Sequence, residues 1–272
     1  MPTRTASRPQ PAQQTLAPVT VSEFDGVRFL HLGTVWVQGA MRIRKPQKVE
    51  LVYVQRMLAS LLWLPTEALG SGRALQLGLG AGAITRFTHQ ALRMQTTAVE
   101  LNPDVIECCR IWFHLAPDDE RLAVVEAEAG TWLRAAEPQS VQLLHVDLYD
   151  QDAAAPVLDD EAFYADCRAV LADGGVLSVN LFGRDASFER SAARIAAVFG
   201  ADSVWSVQAT REGNTVVVAG RGVALPDRET LLGRAAEIES RFGSLGLAAR
   251  KWPRMLRPYI KPAAPDAIAA AG

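Results

Sequence analysis

A glycine-rich turn and two groups of carboxylates carry the chemistry that this sequence offers. The turn is Gly78-Leu79-Gly80-Ala81-Gly82, and it follows the apolar run Leu75-Gln76-Leu77. Glycines permit a sharp strand-to-helix reversal and keep side chains clear of a ligand approaching the backbone. Glu100 stands 20 residues beyond Gly80, at the end of the next apolar run. A carboxylate at that place can accept hydrogen bonds from both hydroxyls of a ribose. The turn reads GxGxG rather than GxGxxG, no second glycine-bearing phosphate site follows, and no hydride-transfer His or Tyr-Lys pair stands out. The expected ligand is therefore a nucleoside without a pyrophosphate, such as a sulfonium nucleoside. The other carboxylates lie in His145-Val146-Asp147-Leu148-Tyr149-Asp150. Asp147 would end a strand, and open α/β sheets bind ligands at the carboxyl ends of their strands. A carboxylate there can hold an ammonium group and take its proton as the nitrogen attacks an electrophilic carbon. Asp152, Asp159 and Asp160 read better as a solvated loop.

Composition excludes several other classes. The 272-residue chain has 28 basic and 30 acidic residues, a formal charge of −2, so no nucleic-acid or membrane-surface partner is expected. No apolar run approaches membrane-spanning length. Cys108, Cys109 and Cys167 are odd in number and two are adjacent, which fits a reducing compartment better than a disulfide framework. His31, His89, His114 and His145 are dispersed, and no metal site is expected. Residues 1–18 lack both acids and an apolar signal core, and read as a disordered tail of a cytoplasmic protein.

The elements that must position these groups follow from periodicity. Short β-rich runs at 27–32 and 34–38, preceded by the turn Asp25-Gly26, predict a small hairpin. A basic loop with Arg42, Arg44, Lys45 and Lys48 follows, then an amphipathic helix at 50–64 ended by Pro65. Strands at 73–79, 95–101, 122–126, 141–147 and 176–181 alternate with helices at 82–93, 103–113, 130–136, 160–171 and 187–199, and a hairpin at 203–220 closes the series. This succession predicts an α/β doubly wound sheet with helices on both faces. One more helix is expected within 226–245. The run from Arg250 to Lys261 has five bases and no acid, and reads as a solvated tail. The expected divisions are 1–18, the β element with its linking helix at 19–64, the Rossmann-like domain at 65–222, and a helix and tail at 223–272.

From about Val27 to Asn180 these residues resemble the spermidine synthases, the polyamine aminopropyltransferase family. The family's Gln after the small β element, and the acid and Tyr of the following helix, match Gln38, Glu50 and Tyr53. Its glycine turn matches 78–82, its ribose acid Glu100, its adenine-side acid Glu128 followed by Ala129, and its Asp-x-x-Asp catalytic segment Asp147-Leu148-Tyr149-Asp150. The resemblance implies a methyltransferase-type sheet, with an antiparallel final pair, after a small N-terminal β-hairpin element. It implies a homodimer and a transferase of polyamine biosynthesis. The cofactor would be decarboxylated S-adenosylmethionine, the acceptor a small amine and the base Asp147. Gln38, Gly78, Gly80, Ala81, Glu100, Glu128 and Ala129 would hold the nucleoside, and Glu50, Tyr53, Tyr149 and Asp150 would line the amine site. Several family residues are replaced here. Ala81 stands where the family has Asp, Val49 replaces the first of two acids, Val54 and Gln55 replace His-Glu, Leu148 and Tyr149 replace two serines, and Asn180 stands near a Gln. These changes remove amine-binding acids, so putrescine is a doubtful acceptor. Methyl transfer from ordinary S-adenosylmethionine, or a non-catalytic nucleoside-binding role, are the alternatives.

Overall fold

The computed structural model describes residues 16–149, 158–182 and 186–260. Strands β1 (Val19–Phe24), β2 (Val27–Leu32) and β3 (Val37–Arg42) form an antiparallel sheet in that order. The β1–β2 turn is Asp25-Gly26, with φ of 48° and 70°. That left-handed pair matches the twist of a hairpin. The element has three strands where a hairpin was expected. Its last strand starts late, at Val37, and runs on into the basic segment as far as Arg42.

The expected helix at 50–64 is α1 (Val52–Met57), which tightens into a 3₁₀ segment, Leu58–Trp63. All six residues of that segment are buried, as a stretch without a polar face requires. Then follow β4 (Arg73–Leu77), α2 (Ala83–Arg86) with a π-helical turn at Phe87–Ala91, β5 (Gln95–Glu100), α3 (Pro103–Trp112), β6 (Leu122–Glu126), α4 (Ala129–Ala135) and β7 (Val141–Val146). The chain continues through α5 (Glu161–Val170), β8 (Leu171–Phe182), α6 (Ala186–Phe199), β9 (Val204–Val207), β10 (Asn214–Gly220), α7 (Arg228–Phe242) and β11 (Leu256–Pro258). Caps set the helix starts: Asn102 accepts from the Asp104 amide at 3.0 Å, and Asp160 from the Phe163 amide at 2.7 Å.

The eight strands after β3 form one sheet in the order β11-β9-β10-β8-β7-β4-β5-β6. Strands β8, β7, β4, β5 and β6 are mutually parallel, and β10 runs against both β8 and β9. The chain goes outward from β4 through β5 and β6, then returns to β7 on the other side of β4. That reversal opens a crevice at the carboxyl ends of β4 and β7, which places the glycine turn beside Asp147. Alternation along the strands divides the core. Leu143 and Val176 pack with Trp63 and the apolar side of α7, whereas Leu144, Val146 and Leu177 pack with Phe163 and Ile195.

The basic C-terminal segment is not a solvated tail over its described length. Ala249–Met255 is a 3₁₀ segment, and Leu256–Pro258 pairs with β9 as an edge strand. Trp252 and Leu256, 3% and 7% exposed, anchor it among its bases. The three cysteines are free and buried. Among the described residues, no helix is long and apolar enough to cross a membrane.

Candidate active site

The glycine turn is held from three sides. Gly78, Gly80 and Gly82 have φ of 83°, 50° and 68°. At Gly78 a Cβ would lie 2.2 Å from the Asp147 carbonyl oxygen, so a side chain is excluded there. Beneath the turn, the buried Gln76 amide donates to the Gly78 carbonyl at 2.7 Å and accepts from the Thr85 hydroxyl at 2.5 Å. Glu100 closes the turn from β5. One of its oxygens accepts from the Leu79 amide and the other from the Asn102 amide, both at 2.9 Å. Burial raises the Glu100 pKa, and these backbone N–H groups act against that rise.

Asp147 follows β7 and is tied to β4 by its own amide, which donates to the Leu77 carbonyl at 2.9 Å. The Tyr53 hydroxyl of α1 donates to Asp147 Oδ2 at 3.1 Å, and the Asn180 amide of β8 donates to Oδ1 at 2.9 Å. The Asn214 amide in turn donates to Asn180 Oδ1 at 3.2 Å, which turns the Asn180 nitrogen toward Asp147. Burial pushes the Asp147 carboxyl above the usual carboxylate range, and the two donors pull it back in part. The Tyr53 hydroxyl is raised well above its ordinary value by burial and by the neighbouring Asp147 charge, so it is a donor at neutral pH. The Tyr149 hydroxyl donates to the Asn180 carbonyl at 2.9 Å and accepts from the Phe182 amide.

Two cavities meet at Asp147. The larger, about 490 Å³, runs between Gly78, Gly80, Glu100, Leu101, Glu128, Ala129 and Tyr149. The smaller, about 10 Å³, lies behind Tyr53 among Leu51, Val54, Ala81, Ala83 and Ile84. Asp147, Gln38 and Gly80 line both. The Gln38 side-chain nitrogen is buried and makes no hydrogen bond. Next to it, Gly39 of β3 presses on the turn: a Cβ there would lie 2.4 Å from the Ala81 nitrogen and 2.5 Å from the Ala81 Cβ.

The structure gathers Gln38, Tyr53, Gly78, Gly80, Ala81, Glu100, Ala129, Asp147 and Tyr149 around these two cavities. Glu128 reaches the larger one, but its carboxylate caps α4, accepting from the Gly130 and Thr131 amides at 2.8 and 2.7 Å. Glu50 is separate. It pairs with Arg42 at 2.6 Å and Lys48 at 3.1 Å, and lines neither cavity at Asp147. The Arg42 hydrogen bond holds its carboxyl below the usual range. Asp150 lies outside the described residues. Gln76 and Asn214 were missed in the sequence. A polar residue inside the apolar run 75–77 was the only signal for the first, and Asn214 reads there as an ordinary turn residue. Among the described residues no group of three His, Cys, Asp or Glu side chains could hold a metal ion.

The chain matches no protein-family model. It is 32% identical over 238 residues to a polyamine aminopropyltransferase of Chromobacterium violaceum, covering 87% of this chain and 89% of that one. Among solved structures, a probable spermidine synthase from Corynebacterium glutamicum superposes with a TM-score of 0.68 at 18% identity, over 87% of this chain and 88% of the other. A spermidine synthase in complex with the transition-state analogue AdoDATO superposes with a TM-score of 0.61 at 18% identity, over 80% and 74%. The strand order and the N-terminal sheet are thus those of a known fold, and the sequence match extends over most of both chains: the chain belongs to the polyamine aminopropyltransferase family, transferases of polyamine biosynthesis.

Proposed function

We propose that this protein transfers an aminopropyl group from decarboxylated S-adenosylmethionine to a small amine, with Asp147 as the base. The observation that carries the reading is Asp147 itself, a carboxylate with a raised pKa, gripped by Tyr53 and Asn180 where the two cavities meet. The residues present fit a nucleoside. Gly78 and Gly80 line the larger cavity, Glu100 keeps lone pairs beyond those taken by Leu79 and Asn102, and the Gln38 nitrogen has no hydrogen-bond partner. Gln38 and Glu100 would hold the nucleoside, with Ala129 and the capped Glu128 along its edge. When bound, the donor supplies an electrophilic carbon beside a sulfonium, and methylthioadenosine is its leaving group. Asp147 orients the acceptor nitrogen and receives its proton as the nitrogen–carbon bond forms. Tyr53 and Asn180 favour the ionised form of that base at rest.

The acceptor side is closed, because about 10 Å³ holds no more than a water. Binding of an amine therefore requires Tyr53 or β3 to shift. Apart from Asp147, its described lining has no acid to meet a second ammonium, which favours a monoamine over putrescine. Exposed Phe24, Val35 and Trp36 on and beside the N-terminal sheet support a homodimer, and the free cysteines a cytoplasmic setting. One observation favours methyl transfer as a second reading: buried Ala81 offers no carboxylate against the acid of ordinary S-adenosylmethionine. Incubation with each donor and a panel of amines, read by mass spectrometry, separates the two. Methylthioadenosine with an aminopropylated amine supports the first reading, S-adenosylhomocysteine with a methylated product supports the second, and turnover of neither donor refutes both.

A further inference from the structure

The basic segment has no part in this chemistry. Arg42, Arg44, Lys45 and Lys48 line neither cavity at Asp147; they line a separate cavity of about 680 Å³. One wall is this segment with the β1–β2 turn, Asp25-Gly26, and the other is the turn after α7, with Ser244 at its centre. Backbone bonds fix the walls to each other. The Ile43 amide donates to the Gly26 carbonyl at 3.0 Å, and the Val49 amide to the Leu245 carbonyl at 2.8 Å. Gly246, at φ 99°, lets the two walls close: a Cβ there would lie 2.9 Å from the Val49 carbonyl oxygen and 3.3 Å from Lys48 Cγ. The cations are thus held in a built concavity, whereas a solvated charge run follows no fixed wall.

Their charges are not balanced within it. Arg42 and Lys48 share the single carboxylate of Glu50. Among the described residues Asp25 is the only acid on the lining, and it acts on Arg42 from a distance. Arg44 and Lys45 are exposed, and no carboxylate pairs with either among the described residues. Arginines and lysines lining one space are the usual means of holding phosphate or carboxylate oxygens. The volume falls within the range of small-molecule sites and exceeds what a single inorganic phosphate fills. The charge of −2 for the whole chain, and the confinement of these cations to one concavity, do not fit the extended basic stripe of a nucleic-acid binder. We propose that this cavity is an anion site separate from the reaction centre. Its ligand is a small molecule carrying two or more negative charges, held by Arg44 and Lys45 with Arg42 and Lys48 behind them.

The test is calorimetry on the full chain at low salt, with pyrophosphate and citrate as probes and spermidine and a short RNA duplex as controls. Pyrophosphate or citrate is expected to bind one per chain with Kd at or below about 1 mM. The better of the two identifies the anion as phosphate or carboxylate. The double variant Arg44→Ala/Lys45→Ala should weaken binding by about tenfold or more while leaving aminopropyl transfer unchanged. Ser244→Glu, which puts an acid on the opposite wall, should weaken it as well, and covers the case in which the double variant folds poorly. No binding of either anion at 10-fold above that Kd, about 10 mM, overturns the proposal. So does binding that both variants leave intact, or RNA binding tighter than either anion and lost in the same variants.

Discussion

Asn180→Ala isolates what one amide does for the base. In the structure the Asn180 nitrogen donates to Asp147 Oδ1 at 2.9 Å, and Asn214 holds the amide in that orientation. Burial already raises the Asp147 pKa, and this donor counters the rise because it favours the charged form. Its removal must therefore raise the pKa further. A hydrogen bond to a charged group is worth about 1.5–3 kcal/mol, and one pH unit corresponds to about 1.4 kcal/mol. The acidic limb of kcat/KM against pH should then move up by about one to two units. Well above that limb the rate should change little, since Asn180 only positions Asp147. Methylthioadenosine release gives the kinetic profile, and carbon NMR of the Asp147 carboxyl gives the titration without turnover. Asn214→Ala should move both in the same direction by less. A limb and a titration that stay within about 0.3 unit of the parent, well below the shift that a charged hydrogen bond supports, would refute the role of Asn180 in setting this charge.

Four further outcomes follow from named contacts. Asp147→Asn should lower turnover by about 10²-fold or more and leave nucleoside affinity within about threefold, as tracked by calorimetry. The same variant should melt higher than the parent at pH 7. A carboxyl whose folded pKa is raised adds stability that is full below its unfolded pKa and is lost as pH rises through the folded value, so the gap should close on acidification. Gly78→Ala combines a side chain at φ 83° with a contact of 2.2 Å, and should destabilise by about 2–5 kcal/mol in denaturant titration. Glu50→Gln should cost at most about 1 kcal/mol, because its ion pairs are partly exposed, and should leave turnover within about threefold. A hundredfold loss would return Glu50 to the amine site.

The sequence exposed those parts of the site that are local in the chain. A glycine turn between a strand and a helix, an acid at the end of the next strand, and Asp147 after an apolar run are each set by a few adjacent residues. The contacts that tune Asp147 are not local. Tyr53 stands 94 positions away and Asn180 33. The pairing of β8 with β7 and the packing of α1 on β8 bring them together. Glu50 differs: its partners Arg42 and Lys48 are near in sequence, and it pairs with them and lines neither cavity at Asp147. The C-terminal segment misled through charge. It carries five bases and no acid, yet Trp252 and Leu256 decide its packing. The β element was expected from residue 19, but Val19–Phe24 is largely exposed and did not separate as a strand of its own.

The contact between Gly39 and Ala81 bears on how this site can change over generations. Neither residue can enlarge alone. A methyl at 39 would overlap Ala81, and a carboxylate at 81 would be buried where Ala81 is 3% exposed. Substitutions at the two positions are therefore coupled: a larger residue at either one requires β3 to move outward. A larger or charged residue in this turn is thus reached only by changing β3 in the same step, while the acceptor side around Ala81 stays open to change elsewhere.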